Sequence, residues 1–193
     1  MTKKSHNSDA PLHSKTPLEP RAGRPRFPAD YGIPKDTRGM LPWSFVEERM
    51  AKAANYWVST TRPDGAPHVR PVDGVWLEGV LCFGGSPETR WVRNLQRNPA
   101  ITVHIGSEEE VVILEGTAEF VTESSHPLVA PQLAAAKKKY PQYYPGKRPP
   151  PFRPFWMLRP RVVLAWTLKE FPQSATRWLL EAGGKSKTQV DGS

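Results

Sequence analysis

Hydrophobic and polar residues alternate over short distances through the middle of the chain. The run from Tyr56 to Thr61 is rich in aromatic and β-branched residues, which favours a strand. A Pro-Asp-Gly turn follows at 63–65, because proline presets φ and glycine accepts a positive φ. Three more short strands are predicted, over residues 68–72, 75–77 and 80–83, with turns at Asp73-Gly74 and Glu78-Gly79. Four strands separated by tight turns predict an antiparallel meander, from which a barrel can be built.

Apolar residues recur at helical spacing in three segments that lie outside this meander. These segments are residues 44–54, 88–97 and 126–140. Ser44, followed by Glu47 three residues later, predicts a capping box at the start of the first helix. The prolines of the third segment lie near its start, where proline is tolerated.

Later strands complete the predicted sheet. They are expected over residues 100–105, 111–121, 155–159 and 162–168, with a bulge at Gly116 and Pro160 near the join of the last pair. Residues 141–154 are predicted as an extended proline-rich loop, and residues 175–180 as a final short strand or helix. The total is about seven mostly antiparallel strands, with helices in the crossovers. This pattern argues against a Rossmann-type sheet and predicts a mainly β fold, an antiparallel barrel with peripheral helices.

The two ends of the chain differ from the middle. Residues 1–40 carry prolines among Lys, Arg and Ser without apolar periodicity, so burial cannot offset the entropy of ordering them. We therefore expect residues 1–40 to form a flexible or surface-wrapping arm, in which Phe27 and Tyr31 are among the residues able to dock. Residues 183–193 are expected to be a disordered tail, which leaves residues 41–182 as the folded domain.

The chain is strongly basic, with a formal net charge of +8 and a pI of about 9.7. The basic clusters are Arg21–Arg24–Arg26, Lys137–Lys138–Lys139 and Lys147–Arg148. One interpretation is a nucleic-acid-binding module, which would need a clustered basic face and a recognisable motif. The other is a solvated basic surface that also attracts small anions. No nucleic-acid-binding motif accompanies the clusters, so the second interpretation is favoured.

Cysteine and histidine usage limits the chemistry. Cys82 is the one cysteine, so no intrachain disulfide can form, and its apolar neighbours predict a buried hydrophobic side chain rather than a nucleophile. The five histidines have no zinc-ligand spacing, so no metal site is predicted. No apolar run approaches the 18 residues of a membrane span, and no secretory h-region is visible. A cytoplasmic location is expected.

One segment has the composition of an anion site. Ser86 and Thr89 place hydroxyl groups at the predicted start of a helix, where free backbone N–H groups favour a negative charge. Arg90 and Arg93 follow on the first turns, and Arg70 lies on a strand that must pass close to this helix if the meander closes. The alternative is that Ser86 simply caps the helix and that the arginines are solvated.

A longer run adds a resemblance to a known family. The run TTRPDGAPHVRPVDGVWLEGVLCFGGSPETRWVRNLQRNPAITVHI resembles the pyridoxamine 5′-phosphate oxidase-like family of FMN-binding split barrels, which includes the actinobacterial deazaflavin (F420)-dependent reductases. The resemblance covers about residues 55–122. The order of strand, DG turn, PHVRPV strand, hairpin, S-x-x-T-R helix and N-P strand is specific in combination, whereas no single piece is.

The resemblance implies a homodimer of antiparallel six-stranded split barrels, with two cofactor sites at the interface. One strand would lie along the flavin ring and bond to it through its backbone; its residues are His68, Val69, Arg70, Pro71 and Val72. The phosphate would be held by Ser86, Thr89 and Arg90, with Arg93 and Asn94 nearby. Three tryptophans could pack against the ring: Trp57, Trp156 and Trp166.

The implied function is hydride transfer between a bound FMN, or alternatively coenzyme F420, and a small organic substrate. The cofactor carries this chemistry, so no protein residue is predicted to be catalytic. Many family members have lysine where this chain has Arg90, and that difference leaves the cofactor open between FMN and F420. The C-terminal substrate signature of true pyridoxamine phosphate oxidases is absent. Two alternatives remain: a non-catalytic flavin or haem carrier on the same barrel, and a basic nucleic-acid-binding module.

Overall fold

One antiparallel sheet dominates the structure, a computed structural model that describes residues 20–106, 109–146 and 150–180. Its nine strands are β1 (Arg21–Gly23), β2 (Tyr56–Thr61), β3 (Pro67–Val72), β4 (Gly74–Leu77), β5 (Val80–Phe83), β6 (Ala100–His104), β7 (Glu110–Val121), β8 (Phe155–Thr167) and β9 (Thr176–Leu179). Three α-helices accompany them: α1 (Trp43–Lys52), α2 (Arg90–Arg97) and α3 (Val129–Lys139). Single 3-10 turns cover Ala29–Tyr31 and Pro141–Tyr143.

The strand order explains how the sheet curls. The main path runs β1-β9-β8-β7-β6-β2-β3, and β5 joins β8 and carries β4 at its far side. The long β8 pairs with β7 along one edge, and its other edge pairs with β5 near its start and with β9 near its end. In the described sheet β3 and β4, although consecutive in the chain, are not paired. The predicted mainly β split barrel with peripheral helices is confirmed.

The tight turns follow from the residues that form them. Glu78 and Gly79 both have positive φ, of 46° and 83°. That combination is the one a two-residue hairpin needs to match the twist of its strands, here β4 and β5. Gly65 has a φ of 83° in the turn between β2 and β3. The four predicted strands are present, within one residue of the expected ends. They do not form the predicted continuous meander, because β3 and β4 are not paired and the strands form two hairpins, β2–β3 and β4–β5.

Two apolar clusters fill the interior. The larger one lies inside the barrel and is covered by α1 and α2; its fully buried members include Met50, Val58, Leu81 and Leu114. The smaller one lies under α3 and includes Val80, Cys82 and Tyr140. Cys82 is fully buried, as predicted, and burial raises the pKa of its thiol to about 12.

Several local expectations are wrong. Residues 155–167 form the single strand β8 rather than a strand pair, because Pro160 lies opposite Gly116 at the predicted bulge, where the ladder is already interrupted. The segment after α3 begins with a 3-10 turn at Pro141–Tyr143 and is not extended there. Helix α3 starts at Val129 rather than at residue 126. Residues 176–179 take the strand alternative, as β9.

The capping box predicted for α1 is also absent. The residue before the helix is Pro42, and no side chain caps the first turn. The Glu47 carboxylate instead accepts hydrogen bonds from the indole N–H groups of Trp43, at 2.9 Å, and Trp76, at 2.7 Å. Because Trp76 lies on β4, this carboxylate joins α1 to the barrel.

The N-terminal segment from residue 20 is packed against the domain, as the wrapping alternative requires. Strand β1 pairs with β9, with Arg21 opposite Leu179. Phe27 stacks on Tyr31 and meets the ring of Phe171 edge-on. Residues 1–19 and the predicted tail over 183–193 lie outside the described residues.

Candidate functional site

The β2–β3 hairpin positions the central residues of the site. In its register Thr60 lies opposite His68, and Val58 lies opposite Arg70. Side chains at alternate positions share one face of a sheet, so His68 and Arg70 project from the face that carries the buried Val58 and Thr60. Helix α2 packs across this face, and the buried Asn94 fixes it there, because its amide donates to the Thr60 hydroxyl at 3.0 Å.

The loop before α2 is held by its own hydroxyl groups. The Thr89 hydroxyl donates to the carbonyl of Ser86 at 2.8 Å, and the Ser86 hydroxyl accepts from the Glu88 N–H at 3.3 Å. Thr89 is the residue before the helix, and its side chain does not cap the first turn. Neither hydroxyl is therefore occupied by the amides of that turn. A Cβ atom on Gly85 would collide with the Trp91 ring, so the loop lies directly against this tryptophan.

A cavity of about 330 Å³ opens between the hairpin and α2. Five of the predicted site residues line it, together with one that was not predicted: His68, Arg70, Pro71, Thr89, Arg90 and Trp91. No carboxylate is among these lining residues, and the ion pairs of the described part of the chain include neither Arg70 nor Arg90. The cavity is therefore electropositive and offers guanidinium donors to an anion.

The pKa of His68 is shifted by this positive environment. Its side chain is buried, at 5% exposure. Burial, followed by the charges of Arg70, Arg62 and Arg90, lowers the pKa of its imidazole. Three guanidinium groups therefore lie close enough to His68 to disfavour a further positive charge on it.

The other residues predicted for the cofactor lie around the cavity rather than on its wall. Val69 is exposed on the opposite face of β3, and Val72 is buried in the core. Ser86 and Arg93 are exposed, and Asn94 lies beneath the site in contact with Thr60. The predicted residues therefore divide into those that line the cavity and those that do not.

The three tryptophans predicted to pack against a ring are not brought together. Trp57 lies on the outer face of β2, stacked on His104 with a centroid distance of 6.2 Å. Trp156 is buried in the core beside Phe120. Trp166 packs against Phe27 of the N-terminal segment. Within a single chain, the aromatic side chain that lines the cavity is Trp91 instead.

A larger cavity, of about 490 Å³, lies at the end of α1, and none of the predicted site residues lines it. Its walls carry charges of both signs, and Arg49 binds Glu110 through two hydrogen bonds of 2.6 and 2.9 Å. This pairing lowers the pKa of the Glu110 carboxyl. Since its arginine is already neutralised, the larger cavity is a weaker anion site than the smaller one.

Some residues of the basic clusters make hydrogen bonds within the fold. Arg24 donates to four backbone carbonyl groups, and Lys139 is half-buried against Tyr56. The predicted cluster Lys147–Arg148 lies outside the described residues. Within the described ranges, no three His, Cys, Asp or Glu side chains are grouped as metal ligands, and no helix has the length and hydropathy to cross a membrane.

Comparison with known proteins assigns the family. The family model described as pyridoxamine 5′-phosphate oxidase matches residues 45–167, which include every residue that lines the smaller cavity. The chain belongs to the pyridoxamine 5′-phosphate oxidase family. No curated protein matches this family member.

Solved structures agree with this assignment at the level of the fold. A conserved hypothetical protein from Mycobacterium tuberculosis has a TM-score of 0.55 at 16% identity, over 78% of this chain and 97% of that one. A pyridoxamine 5′-phosphate oxidase-related, FMN-binding protein from Nostoc punctiforme has a TM-score of 0.51 at 20% identity, over 72% and 90%. A heme-binding protein from Mycobacterium smegmatis has a TM-score of 0.51 at 23% identity, over 66% and 55%. Proteins that share this fold are therefore named for different ligands.

Two features of the site were not predicted. Trp91 lies in the segment 88–97 that was predicted to be helical, and the orientation of α2 that brings it to the cavity depends on the tertiary packing. Arg62 was not considered at all. The alternation of β2 contains the signal, because Arg62 continues the series of Val58 and Thr60.

Proposed function

We propose that this family member binds a phosphorylated flavin-type cofactor in the cavity between the β2–β3 hairpin and α2. The observation that carries the proposal is the group of arginines around the buried His68, without a carboxylate on the wall of the cavity. A bound anion would neutralise these positive charges and accept their hydrogen bonds. FMN is the proposed cofactor, and coenzyme F420 is the alternative with the same type of anionic end.

The residues present fit this ligand. Arg90 lies at the start of α2, where the helix dipole adds to its attraction for a phosphate. Thr89 lines the same wall, with its hydroxyl proton donated to the Ser86 carbonyl. Arg70 and Pro71 line the strand side, and Trp91 supplies an apolar surface beside them. His68 is kept uncharged by its burial and by the arginines, so it contributes a neutral hydrogen-bonding group.

As an oxidoreductase, the protein would use the cofactor's own ability to exchange a hydride with a small organic substrate. The role of the chain is then to hold the anionic end, to exclude water from one side of the ligand and to fix its orientation. No side chain is assigned to acid–base catalysis.

Replacing Arg90 tests this proposal. In Arg90→Gln we expect the affinity for FMN to fall about tenfold, because one charge-assisted hydrogen bond to the phosphate is lost. The affinity for riboflavin, which lacks the phosphate, should change little. Fluorescence titration with both ligands measures this, and Arg97→Gln, at the exposed far end of the same helix, is the matched control.

The spectrum and mass of the ligand that co-purifies separate the candidate cofactors. Absorption at about 450 nm indicates a flavin, and absorption at about 420 nm indicates a deazaflavin. A wild-type protein that binds neither FMN nor F420 on titration would overturn the proposal.

A second candidate function is a carrier of flavin or haem without turnover, favoured by the structural likeness to a heme-binding protein from Mycobacterium smegmatis. Turnover separates the two functions. An enzyme reduces an acceptor far faster than the free reduced cofactor does, whereas a carrier gives no acceleration.

We also propose that the protein is a homodimer. The support is the exposed outer surface of β3 beside the cavity, where Val69 is 38% exposed and Pro71 is exposed on a strand at the end of the sheet path. A second copy packed on this surface would bury Val69 and Pro71, and because Pro71 also lines the cavity, it would bring residues of its own beside the cavity. Sedimentation analysis, which reports the mass in solution, distinguishes a dimer from a monomer.

A further inference from the structure

His68 is the group on the wall of the smaller cavity whose charge can change near neutral pH. Its side chain is buried, at 5% exposure, and it lines the cavity together with Arg70 and Arg90. Guanidinium groups stay protonated throughout the physiological range, whereas an ordinary imidazole titrates near about pH 6.5. The wall therefore combines fixed positive charges with one side chain of variable charge.

The imidazole of His68 has unused hydrogen-bonding capacity on the side of the cavity. Within the described ranges it takes part in no hydrogen bond or ion pair. The fully enclosed polar side-chain atoms without a partner in these ranges are Arg62 Nε and Trp156 Nε1, so the ring nitrogens of His68 are not enclosed. The open space beside this buried ring is the cavity that it lines. A bound molecule can therefore reach the ring and supply the missing partner.

The charges that act on His68 are all positive. Arg62 acts from the end of β2, Arg70 from β3 and Arg90 from the start of α2, and Thr60, which faces His68 from β2, is uncharged. Burial, and then these three arginines, lower the pKa of His68 below its ordinary value of 6.5. The imidazole of the free protein is therefore neutral at neutral pH.

We propose that His68 takes up a proton from solvent when an anionic group binds in the cavity, so that an imidazolium N–H joins Arg70 and Arg90 in holding the anion. This inference rests on the proposed binding of a phosphorylated ligand. A negative charge beside the ring offsets the arginines and stabilises the protonated form. Because the complex then binds this proton more tightly than the free protein does, the affinity for the anion increases as the pH falls below neutrality. The site thereby couples ligand binding to pH.

NMR of the wild-type protein tests this coupling without a variant. The ring signals of His68 are assigned through the backbone and followed from about pH 5 to about pH 8, in the free protein and with saturating FMN. We expect the midpoint of the titration to rise by about one pH unit in the complex, because an opposite charge then lies beside the ring. An unmoved or lowered midpoint in the complex overturns the inference and leaves the proposed function intact. Failure of FMN to bind overturns both.

Binding to variants gives an independent test. The amide of His68→Asn forms hydrogen bonds but cannot be protonated, so its affinity for FMN should equal that of the wild type at about pH 8 and be up to about tenfold weaker at about pH 5.5. For riboflavin, which lacks the phosphate, the ratio of the two affinities should not depend on pH. His126→Asn is the matched control, because asparagine can still accept the Leu128 N–H that His126 accepts at 3.2 Å. An FMN affinity ratio that is the same at both pH values contradicts the inference.

Discussion

At the scale of the residue, Lys139 is a cation held largely inside the fold. Its ammonium group donates to the Gly74 carbonyl at 2.8 Å and to the Tyr56 hydroxyl at 3.0 Å, and it lies 4.5 Å from the centre of the Tyr56 ring. Tyr140 and Asp73 are the other titratable groups that act on this region. Burial lowers the pKa of Lys139 to about 8, and the charge of Asp73 only partly opposes this.

This lowered pKa makes the stability depend on pH. The folded chain releases the Lys139 proton near pH 8, whereas the unfolded chain keeps it until its ordinary value of 10.5. Because the unfolded state binds more protons in this window, the free energy of unfolding should rise with pH, by less than about 1.4 kcal/mol per pH unit. Above about pH 9 the raised pKa of Cys82 acts in the opposite direction, and above about pH 10 the raised pKa values of Tyr56 and Tyr140 add to it.

We expect Lys139→Met to remove this rise. Urea unfolding of the wild type and the variant at about pH 7.5 and about pH 9.5 measures it. Lys138→Met, at the exposed neighbouring position, should keep the wild-type dependence. An equal increase in stability with pH in Lys139→Met and in the wild type would contradict the assignment.

Single residues of the site were predictable where only local rules apply. The residues at the helix start pointed to Arg90, the closing of the strands on that helix pointed to Arg70, and the family resemblance pointed to His68; all three line the cavity. The positions of Asn94 and Trp91 relative to the cavity are harder to predict, because their exposure depends on how α2 lies across the hairpin. That orientation is set by the whole core, which no short sequence pattern records.

At the scale of the element, the pairing of β7 with β8 depends on Gly116. A Cβ atom there would lie 2.8 Å from Leu158 Cδ1 and 3.0 Å from the Arg159 carbonyl oxygen. Leu158 is fully buried, and the second neighbour is a backbone atom that cannot rotate out of the way. We therefore expect Gly116→Ala to destabilise the protein by about 1–3 kcal/mol, as overpacked core positions do.

Denaturant unfolding of Gly116→Ala measures this loss. Gly23→Ala is the matched control, because a Cβ atom on that strand glycine meets nothing within 4 Å. Equal stabilities of the two variants would show that the bulge tolerates a side chain at position 116.

Elements bounded by turn residues were predictable, and β8 was not. The strands of the meander end at Gly or Pro-Asp-Gly sequences that act on the backbone directly. Pro160 is such a residue too, but here it lies inside β8, opposite the bulge at Gly116. Whether a proline ends a strand depends on the partner strand, which is more than 40 residues earlier in the sequence.

At the scale of the whole molecule, Arg24 joins the N-terminal segment to the end of the chain. Its guanidinium donates to the carbonyls of Asp36 and Arg38 on one side, at 2.7 and 2.6 Å. It also donates to those of Gln173 and Ala175, at 2.6 and 2.9 Å. One side chain thus satisfies four carbonyl groups from two distant stretches of backbone.

We expect Arg24→Gln to loosen residues 20–40 without unfolding the barrel. Amide hydrogen exchange in peptides from this segment should accelerate by about tenfold or more, since several charge-assisted hydrogen bonds are lost. Arg26→Gln, at an exposed arginine two residues later, is the control. Acceleration throughout the barrel, or no acceleration anywhere, would contradict a local role for Arg24.

The composition of residues 20–40 did not decide between a flexible arm and a wrapping one. The contacts that hold the segment are made by one arginine and a few aromatic rings, and these act on Phe171 and Trp166 far along the chain. A segment poor in apolar residues can be ordered in this way when its partners are already in place. The hairpins β2–β3 and β4–β5 were predictable because their turns are local, whereas the separation of β3 from β4 was not.

The pairing of β1 with β9 makes the described chain almost a closed ring. Arg21 and Leu179 are neighbours across two hydrogen-bonded strands, so the first and last described residues leave the domain side by side. A short linker between residues 180 and 20, with new ends opened in a surface turn, would give a circular permutant with the same sheet order. A partner domain joined to both residue 20 and residue 180 would be held at a single point on the molecule.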